Sequence, residues 1–307
     1  MSFVESYVKA HLEDGKYTQQ LSGSGISRYL HREGWVDAVL QSGAIFAHRC
    51  TSVHGEGFTN HFHAHDYFEL VVFVRGQVEY LQEDQRIAPD RLTVTWRHPG
   101  QMHTTRILGE GEYERYVLYF TPDAFGFGGK DTGLLDFLHA QKSGCIHPSV
   151  QDARALQATL ERAAATLQSD SPFAEQLLWA YLVELLGMLS ALSPTAADHV
   201  QSASPIGAVK QFVDAEYASI TSVSDIATRF YYSREHLSRR FREEFNISLG
   251  EYLAKRRVLC SLTLLESGSV TDAALAVGFR SQSAYIAAFK RTVGTLPSLY
   301  KKKQDAF

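Results

Sequence analysis

The 307-residue chain is predicted to be α+β: an N-terminal β-barrel or jelly roll with two following helices, then an all-α domain of two helix-turn-helix units joined by a linker helix. Three observations point there. Short runs rich in β-branched and aromatic residues fill the N-terminal half. Two long amphipathic segments follow them. The last third of the chain then repeats itself with a period of 47–48 residues, the mark of a duplicated supersecondary unit.

The β runs are Phe68–Val74, Val78–Gln82, Leu92–Trp96 and Tyr113–Phe120, separated by Arg75-Gly76, Glu83-Asp84, Pro89-Asp90 and Pro99-Gly100. Regular short strands with such turns predict a barrel or jelly roll over residues 41–125. Residues 1–40 read as an N-terminal arm, polar and Gly/Ser-containing at 22–25, with a weak helical signal from Phe3 to Leu12.

Helices are expected over Ser149–Gln168 and Ser171–Leu192, within a helical region spanning 126–195. Leu156, Leu160, Ala163, Ala164 and Leu167 make one stripe; Phe173, Leu177, Leu178, Tyr181, Leu182, Leu185 and Leu189 make another, broader than a lone surface helix needs. Packing on the barrel uses part of this surface, and a homodimer contact is a reasonable use for the rest. Residues 196–204 read as a linker.

In the repeat, Asp225-Ile226-Ala227, Ser233, Leu237, Phe241 and Tyr252 correspond to Asp272-Ala273-Ala274, Ser281, Tyr285, Phe289 and Tyr300. The Asp and Ala pairs are 47 apart and the later pairs 48, so the second turn holds one extra residue. Units are expected at about 222–245 and 270–293, with Ser224-Asp225 and Thr271 or Asp272 as first-helix caps and Ser233 and Ser281 as second-helix caps. In the first unit Leu237, Phe241 and Phe245 face inward, opposite Arg234, Glu235, Ser238, Arg239 and Arg242. In the second, Ser281, Gln282, Ser283, Ile286, Lys290 and Arg291 form the outward set. An apolar anchoring face with a polar face for base edges and phosphates is what a recognition helix requires. Two of them imply sequence-specific binding of double-stranded DNA. Between them Leu249–Glu266 is a long apolar strut.

Charge divides the same way. Residues 201–307 carry 15 Lys and Arg against 10 Asp and Glu, while the remainder carries 15 against 24. A basic module beside an acidic one suits phosphate binding by the first alone. Cys50, Cys145 and Cys260 are widely spaced, which indicates neither a zinc ribbon nor a disulfide framework. No leader and no membrane-length apolar run is visible, so a cytoplasmic protein with no membrane partner is expected.

The C-terminal segment, about residues 204–303, resembles the DNA-binding domain of the AraC/XylS family of bacterial transcription regulators. The match lies in Ser233-x3-Leu237-x-Arg239-x-Phe241, Gly250 with Tyr252, Arg256-x3-Cys260, Leu264-Leu265, Val277-Gly278-Phe279, Ser281-x3-Tyr285-x3-Phe289-Lys290 and Gly294-Thr295-x-Pro297-x2-Tyr300. The resemblance implies an effector-responsive activator of neighbouring genes, a homodimer, and RNA polymerase as a further partner. Ala287 and Ala288 depart from it, standing where the family often has polar or basic residues.

A second resemblance is to the cupin superfamily: Gly57-x5-His63-x-His65-x3-Glu69-x6-Gly76, followed by Pro99-Gly100-x2-His103, with Asp90 and Ile107 departing from the second motif. Metal-binding cupins use the matching His, His, Glu and His as ligands. Three readings stay open: the cluster hydrogen-bonds a small-molecule effector without metal; it binds a divalent metal such as Zn, Ni or Fe; or its members are structural. The effector reading takes His63, His65, Glu69, His103, Arg75 and Trp96 as contacts. Tyr67, Phe73 and Tyr80 are further wall residues, and Arg97 and Arg106 further anion binders. His54, His61 and His98 read as surface or strand-end residues. No catalytic residue is assigned; a metal-dependent cupin enzyme fused to a DNA-binding domain, and a nonspecific architectural DNA binder, are the alternative functions.

Overall fold

Strand alternation gives the N-terminal domain two different cores, one on each face of a single sheet. The computed structural model describes residues 3–21, 26–59, 62–65, 67–82, 86–125, 133–139, 143–192 and 205–304. An eight-stranded antiparallel sheet runs in the order β1 (Tyr17–Leu21), β2 (Ser27–His31), β3 (Val36–Val39), β4 (Ala44–Val53), β11 (Gly111–Phe120), β6 (Phe68–Arg75), β9 (Thr93–Arg97) and β12 (Ser143–Ile146). A four-stranded sheet, β5 (Gly57–Phe58), β10 (Thr104–Ile107), β7 (Val78–Leu81) and β8 (Arg86–Ile87), faces it. Successive side chains point to opposite faces. Leu70, Val72, Trp96, Leu118 and Phe120 therefore join one buried cluster, and Val71, Phe73 and Val117 join another with Tyr80, Tyr113 and Ile107.

The first of these clusters is closed by α3 (Val150–Thr166) and α4 (Ala174–Ala191), with the short α2 (Asp136–His139) beside them. Ser149 caps α3, its hydroxyl accepting from the Asp152 amide. Leu178, Leu182, Leu185, Leu186 and Leu189 of α4 are all buried against the sheet. The broad stripe expected to leave surface for a partner is thus largely consumed inside the protomer, because the sheet face it covers is wide. Phe173 and Leu177 are the large apolar residues of that stripe that stay exposed.

Two expected boundaries are corrected. Tyr17–Leu21, Ser27–His31 and Val36–Val39 are strands of the main sheet, not an arm, and α1 (Phe3–Glu13) seals their end through Tyr7, buried with Tyr17, Val39 and Ile45. The edge strand Tyr-Thr-Gln-Gln-Leu is mostly exposed, so it carries no hydrophobic alternation to read. The barrel also continues beyond residue 125, since β12 pairs with β9. There Gly144 has no substitute: a Cβ would lie 1.6 Å from Trp96. The linker expected at 196–204, the Gly/Ser stretch at 22–25, the Glu83-Asp84 turn and His61 fall outside the described residues.

The C-terminal domain is all-helical: α5 (Pro205–Glu216), α6 (Val223–Arg229), α7 (Arg234–Phe245), α8 (Leu249–Ser267), α9 (Val270–Ala276), α10 (Gln282–Val293) and α11 (Pro297–Gln304). Helices α6–α7 and α9–α10 are the two helix-turn-helix units. Ser233 and Ser281 cap α7 and α10 as expected. The first-helix caps are instead Ser222 and Ser269, whose hydroxyls accept from the amides of Asp225 and Asp272. An aspartate three residues into a helix favours the positive end of its dipole, which explains why it resembled a cap. Tyr231 and Gly278 hold the same place in the two turns, at φ 57° and 88°. The extra residue of the second turn follows Gly278.

Gly278 is required twice over: its φ is positive, and a Cβ would lie 2.3 Å from the carbonyl oxygen of Ala218. Gly278→Ala is expected to destabilise the C-terminal domain by at least about 1–3 kcal/mol. Urea denaturation followed by helical circular dichroism checks this, and an unchanged midpoint would contradict the turn geometry.

Candidate effector cluster and DNA-reading helices

Four of the residues expected in an effector site converge inside the barrel. An isolated antiparallel bridge joins His63 to His103, with their rings 4.3 Å apart between centroids. His65 lies flat on Tyr67, at 3.8 Å and an interplanar angle of 2°. Ligand atoms of His63, His65 and His103 all lie within 4.8 Å of one another. Glu69 sits at the start of β6 and directs Oε2 to His65 Nε2 at 3.0 Å and His103 Nε2 at 2.9 Å.

Tautomer chemistry makes this arrangement informative. His65 Nδ1 is 2.8 Å from the Tyr67 carbonyl oxygen, and His103 Nδ1 is 2.9 Å from that of Gln101. A carbonyl only accepts, so both Nδ1 atoms carry hydrogen, and a neutral ring then presents a lone pair at Nε2. Both Nε2 atoms face one carboxylate oxygen at hydrogen-bonding distance. Burial acts to raise the Glu69 pKa, but Arg97 and His103 outweigh it and hold the carboxyl well below its ordinary value. Burial lowers the pKa of His103 against the pull of Glu69, which disfavours an extra proton there. A proton on either ring, or a bound cation, would satisfy the atoms that converge there. The donor set, three imidazoles and a carboxylate, fits a divalent transition metal.

The interior behind the cluster is polar. Arg97, 1% exposed, lies 3.7 Å from Glu69 through Nη1 and 5.0 Å over the Tyr80 ring. Its Nε and Nη1 atoms, and both ends of the buried Gln82 amide, make no hydrogen bond among the described residues. Tyr80 and Tyr113 share a hydroxyl contact of 2.9 Å.

Two expected effector contacts are elsewhere. Trp96 is wholly buried on the opposite face of β9 from Arg97, edge-on to Phe137 under the helices. Arg75 is on the outer surface, bound to Glu112 at 2.8 Å and Glu114 at 2.7 Å. For Trp96 the reason is strand parity, since one step along a strand reverses the face. Arg75 shares the parity of Glu69 but lies at the far end of β6, where the register against β11 is irregular. Arg106 packs beside Phe58 outside the cluster. His98 directs Nε2 to the Leu138 carbonyl oxygen, and His54 is exposed.

On the C-terminal domain, Leu237, Phe241 and Phe245 anchor α7, and Tyr285, Ala288 and Phe289 anchor α10. Arg234, Glu235, Arg239 and Arg242 are exposed on α7, with Ser238 half-buried. Ser281, Gln282, Ser283, Lys290 and Arg291 are exposed on α10, while Ile286 packs partly into its unit. Ala288 faces inward and only Ala287 is outward, so just one of the two alanines alters the reading face. Arg240 was missed by the sequence reading. It is exposed and, with Arg239, binds Glu243 at 3.2 and 2.8 Å. Exposed i,i+3 and i,i+4 pairs hold such arginines only weakly.

Comparison with known proteins agrees with this division. The profile of the AraC-like ligand binding domain matches residues 46–186, and that of a helix-turn-helix domain matches 226–303. The chain is 33% identical over 112 residues to the transcriptional activator AarP of Providencia stuartii, covering 36% of this chain and 83% of that one. It is 24% identical over 258 residues to the activator RhaS of Escherichia coli O81, covering 80% of this chain and 88% of RhaS. It is 34% identical over 100 residues, 32% of its length, to the Msm operon regulatory protein of Streptococcus mutans, of which it spans only 36%. A ligand-binding β domain joined to a double helix-turn-helix defines a sequence-specific DNA-binding transcription regulator. The chain belongs to the AraC family of such regulators. No described helix is long and apolar enough to cross a membrane.

Removing Glu69 isolates a buried guanidinium. Glu69→Leu is expected to destabilise the barrel by about 3–5 kcal/mol. Glu69→Gln, which keeps the shape and a hydrogen-bond acceptor, is expected to lose less. Midpoints equal to that of wild type in both variants would show that Arg97 does not depend on this charge.

Proposed function

We propose that this protein is an effector-responsive regulator in which the barrel senses a small polar ligand or divalent cation and α7 and α10 read duplex DNA. The observation that carries it is the convergence of three imidazoles and a carboxylate oxygen inside the barrel. Atoms of Arg97 and Gln82 that have no hydrogen-bond partner among the described residues extend the same polar interior, and burying such groups without partners is costly. His63, His65, His103 and Glu69 would hold a cation; Arg97 and Gln82 suit a ligand's oxygen atoms. A bound metal would supply a fixed positive charge that orders these side chains. Activation of neighbouring genes, contact with RNA polymerase and a homodimer follow from the family. The exposed Phe173 and Leu177 give the dimer its candidate surface.

In this reading α8, nineteen residues and roughly 28 Å long at about 1.5 Å per residue, spaces the recognition helices for successive major grooves of one DNA face. Arg239 and Ser238 contact base edges, Gln282 reads adenine, and Arg242, Lys290 and Arg291 hold phosphates. Arg234, Glu235, Ser281, Ser283 and Ile286 complete the two surfaces.

Arg239→Ala is expected to lose about 1–3 kcal/mol of binding to the cognate promoter and to relax preference at particular base pairs. Lys290→Ala should weaken all sequences alike and reduce the steepness of the salt dependence by about one ion. Anisotropy titrations against promoter and random duplexes at several salt concentrations separate the two; unchanged affinity and preference for Arg239→Ala would sink the base-reading role. For the barrel, equilibrium dialysis should show one Zn2+ per chain in wild type and at least a tenfold weaker site in His103→Ala. No uptake by wild type would leave the organic-ligand reading alone standing.

A further inference from the structure

Phe62, immediately before His63, is wholly buried, yet its ring lies in the C-terminal domain. It meets Phe245 at the end of α7 and Tyr252 on α8 edge-on, both at 5.8 Å between centroids. Lys255 of α8 donates to the Phe62 carbonyl oxygen at 3.0 Å, and the Lys210 ammonium sits 5.9 Å over its ring. Met102, immediately before His103, is wholly buried in the same cluster, with Leu81 beside it. The core of the first helix-turn-helix unit is therefore completed by barrel residues. Among the described residues, the core of the second unit draws on none.

One bridge of backbone joins these facts. His63 and His103 exchange both amide hydrogen bonds, at 3.0 and 2.8 Å. Alternation sends their side chains to the polar cluster and sends Phe62 and Met102 the other way, into the first unit. We propose that this bridge is a wedge: a cation closing on the histidines repositions Phe62 and Met102 and so alters how the first helix-turn-helix unit is docked on the barrel.

The inference rests on the cluster being a cation site, and its physics is simple. Zinc holds imidazole nitrogens at about 2.1 Å, hence roughly 3.4 Å from one another in a tetrahedral shell. The donor atoms of His63, His65 and His103 lie within 4.8 Å of one another, so binding draws the three imidazoles together. Close-packed interiors transmit such shifts instead of absorbing them, and Phe62 is held on several sides by aromatic rings and lysine stems. Arg234, Glu235, Arg239 and Arg242 on the outward face of α7 are exposed, so the wedge governs the placement of the reader and does not cover it. For a ligand to act, its affinity must differ between docked and altered arrangements, which shared residues on one bridge provide.

The test uses the full-length protein, freed of metal by chelation, with Zn2+ as the probe. Zn2+ affinity is measured by competition with a chromophoric chelator, and amide hydrogen exchange is followed over residues 241–255. In wild type, Zn2+ should change exchange in that segment. Phe62→Ala should bind Zn2+ with affinity within about threefold of wild type, exchange about tenfold faster at 241–255 without metal, and show no further response to Zn2+. Phe62→Leu, which keeps most of the apolar volume, should show intermediate behaviour and guards against a variant that merely misfolds. Zn2+ binding with an unchanged metal response in Phe62→Ala overturns the wedge while sparing the site. Absence of Zn2+ binding in wild type overturns the cation site and the coupling with it. Equal metal-free exchange at 241–255 in wild type and Phe62→Ala shows instead that the barrel does not hold the first unit.

Discussion

Opposite-facing neighbours on extended backbone are the constraint from which the rest of this molecule follows. On β6 and β9, Leu70, Val72 and Trp96 meet the helices, while Glu69, Val71 and Arg97 face the interior. At the bridge between residues 63 and 103 the same rule separates histidines from the residues that fill the first helix-turn-helix core. A one-residue slip at either place would exchange a charged group for an apolar one, so register is strongly specified. Polar cluster, helix-covered face and domain contact are consequences of one geometric rule.

The buried charges persist because each has company. Glu69 is ionised beside Arg97 and two imidazoles, and Arg97 also lies over the Tyr80 face. Farther along the sheet, buried Asp37 accepts from Tyr17 at 2.7 Å and from Arg49 at 3.3 Å. Such groups contribute little net stability compared with apolar replacements, but removing one partner strands the other. They define where a polar ligand is tolerated inside an otherwise apolar domain.

The C-terminal domain works by a different economy. Helices α6 to α10 are each capped by a serine, and each unit depends on a small aromatic core: Phe241, Phe245 and Tyr252 in one, Phe279, Tyr285 and Phe289 in the other. Asp214 ties the first together by accepting from Tyr252 and pairing with Lys210 at 2.9 Å. Because Phe62 joins that core, the two domains share packing as well as a chain. The proposed wedge would couple effector state and reader placement through this contact, with no need for a long relay.

The sequence alone determined most of the helical domain and the identity of the histidine cluster. Helical periodicity and serine caps are local signals, and duplication doubled them, so α7, α8 and α10 were placed to within a residue or two. The motif spacing likewise held His63, His65, Glu69 and His103 together. Only the tertiary structure decided three other matters. β1–β3 belong to the sheet although an exposed edge strand has no apolar alternation. Trp96 leaves the site because composition does not reveal which face of a strand a residue takes, and Arg75 because it ends β6 beside an irregular register. Leu182 and Leu185 are spent within the protomer, since the width of the sheet they cover is fixed by strands distant in sequence. Phe62 shows the limit most clearly: its neighbours Phe245 and Tyr252 are nearly two hundred residues away, and no local pattern encodes a contact across that distance.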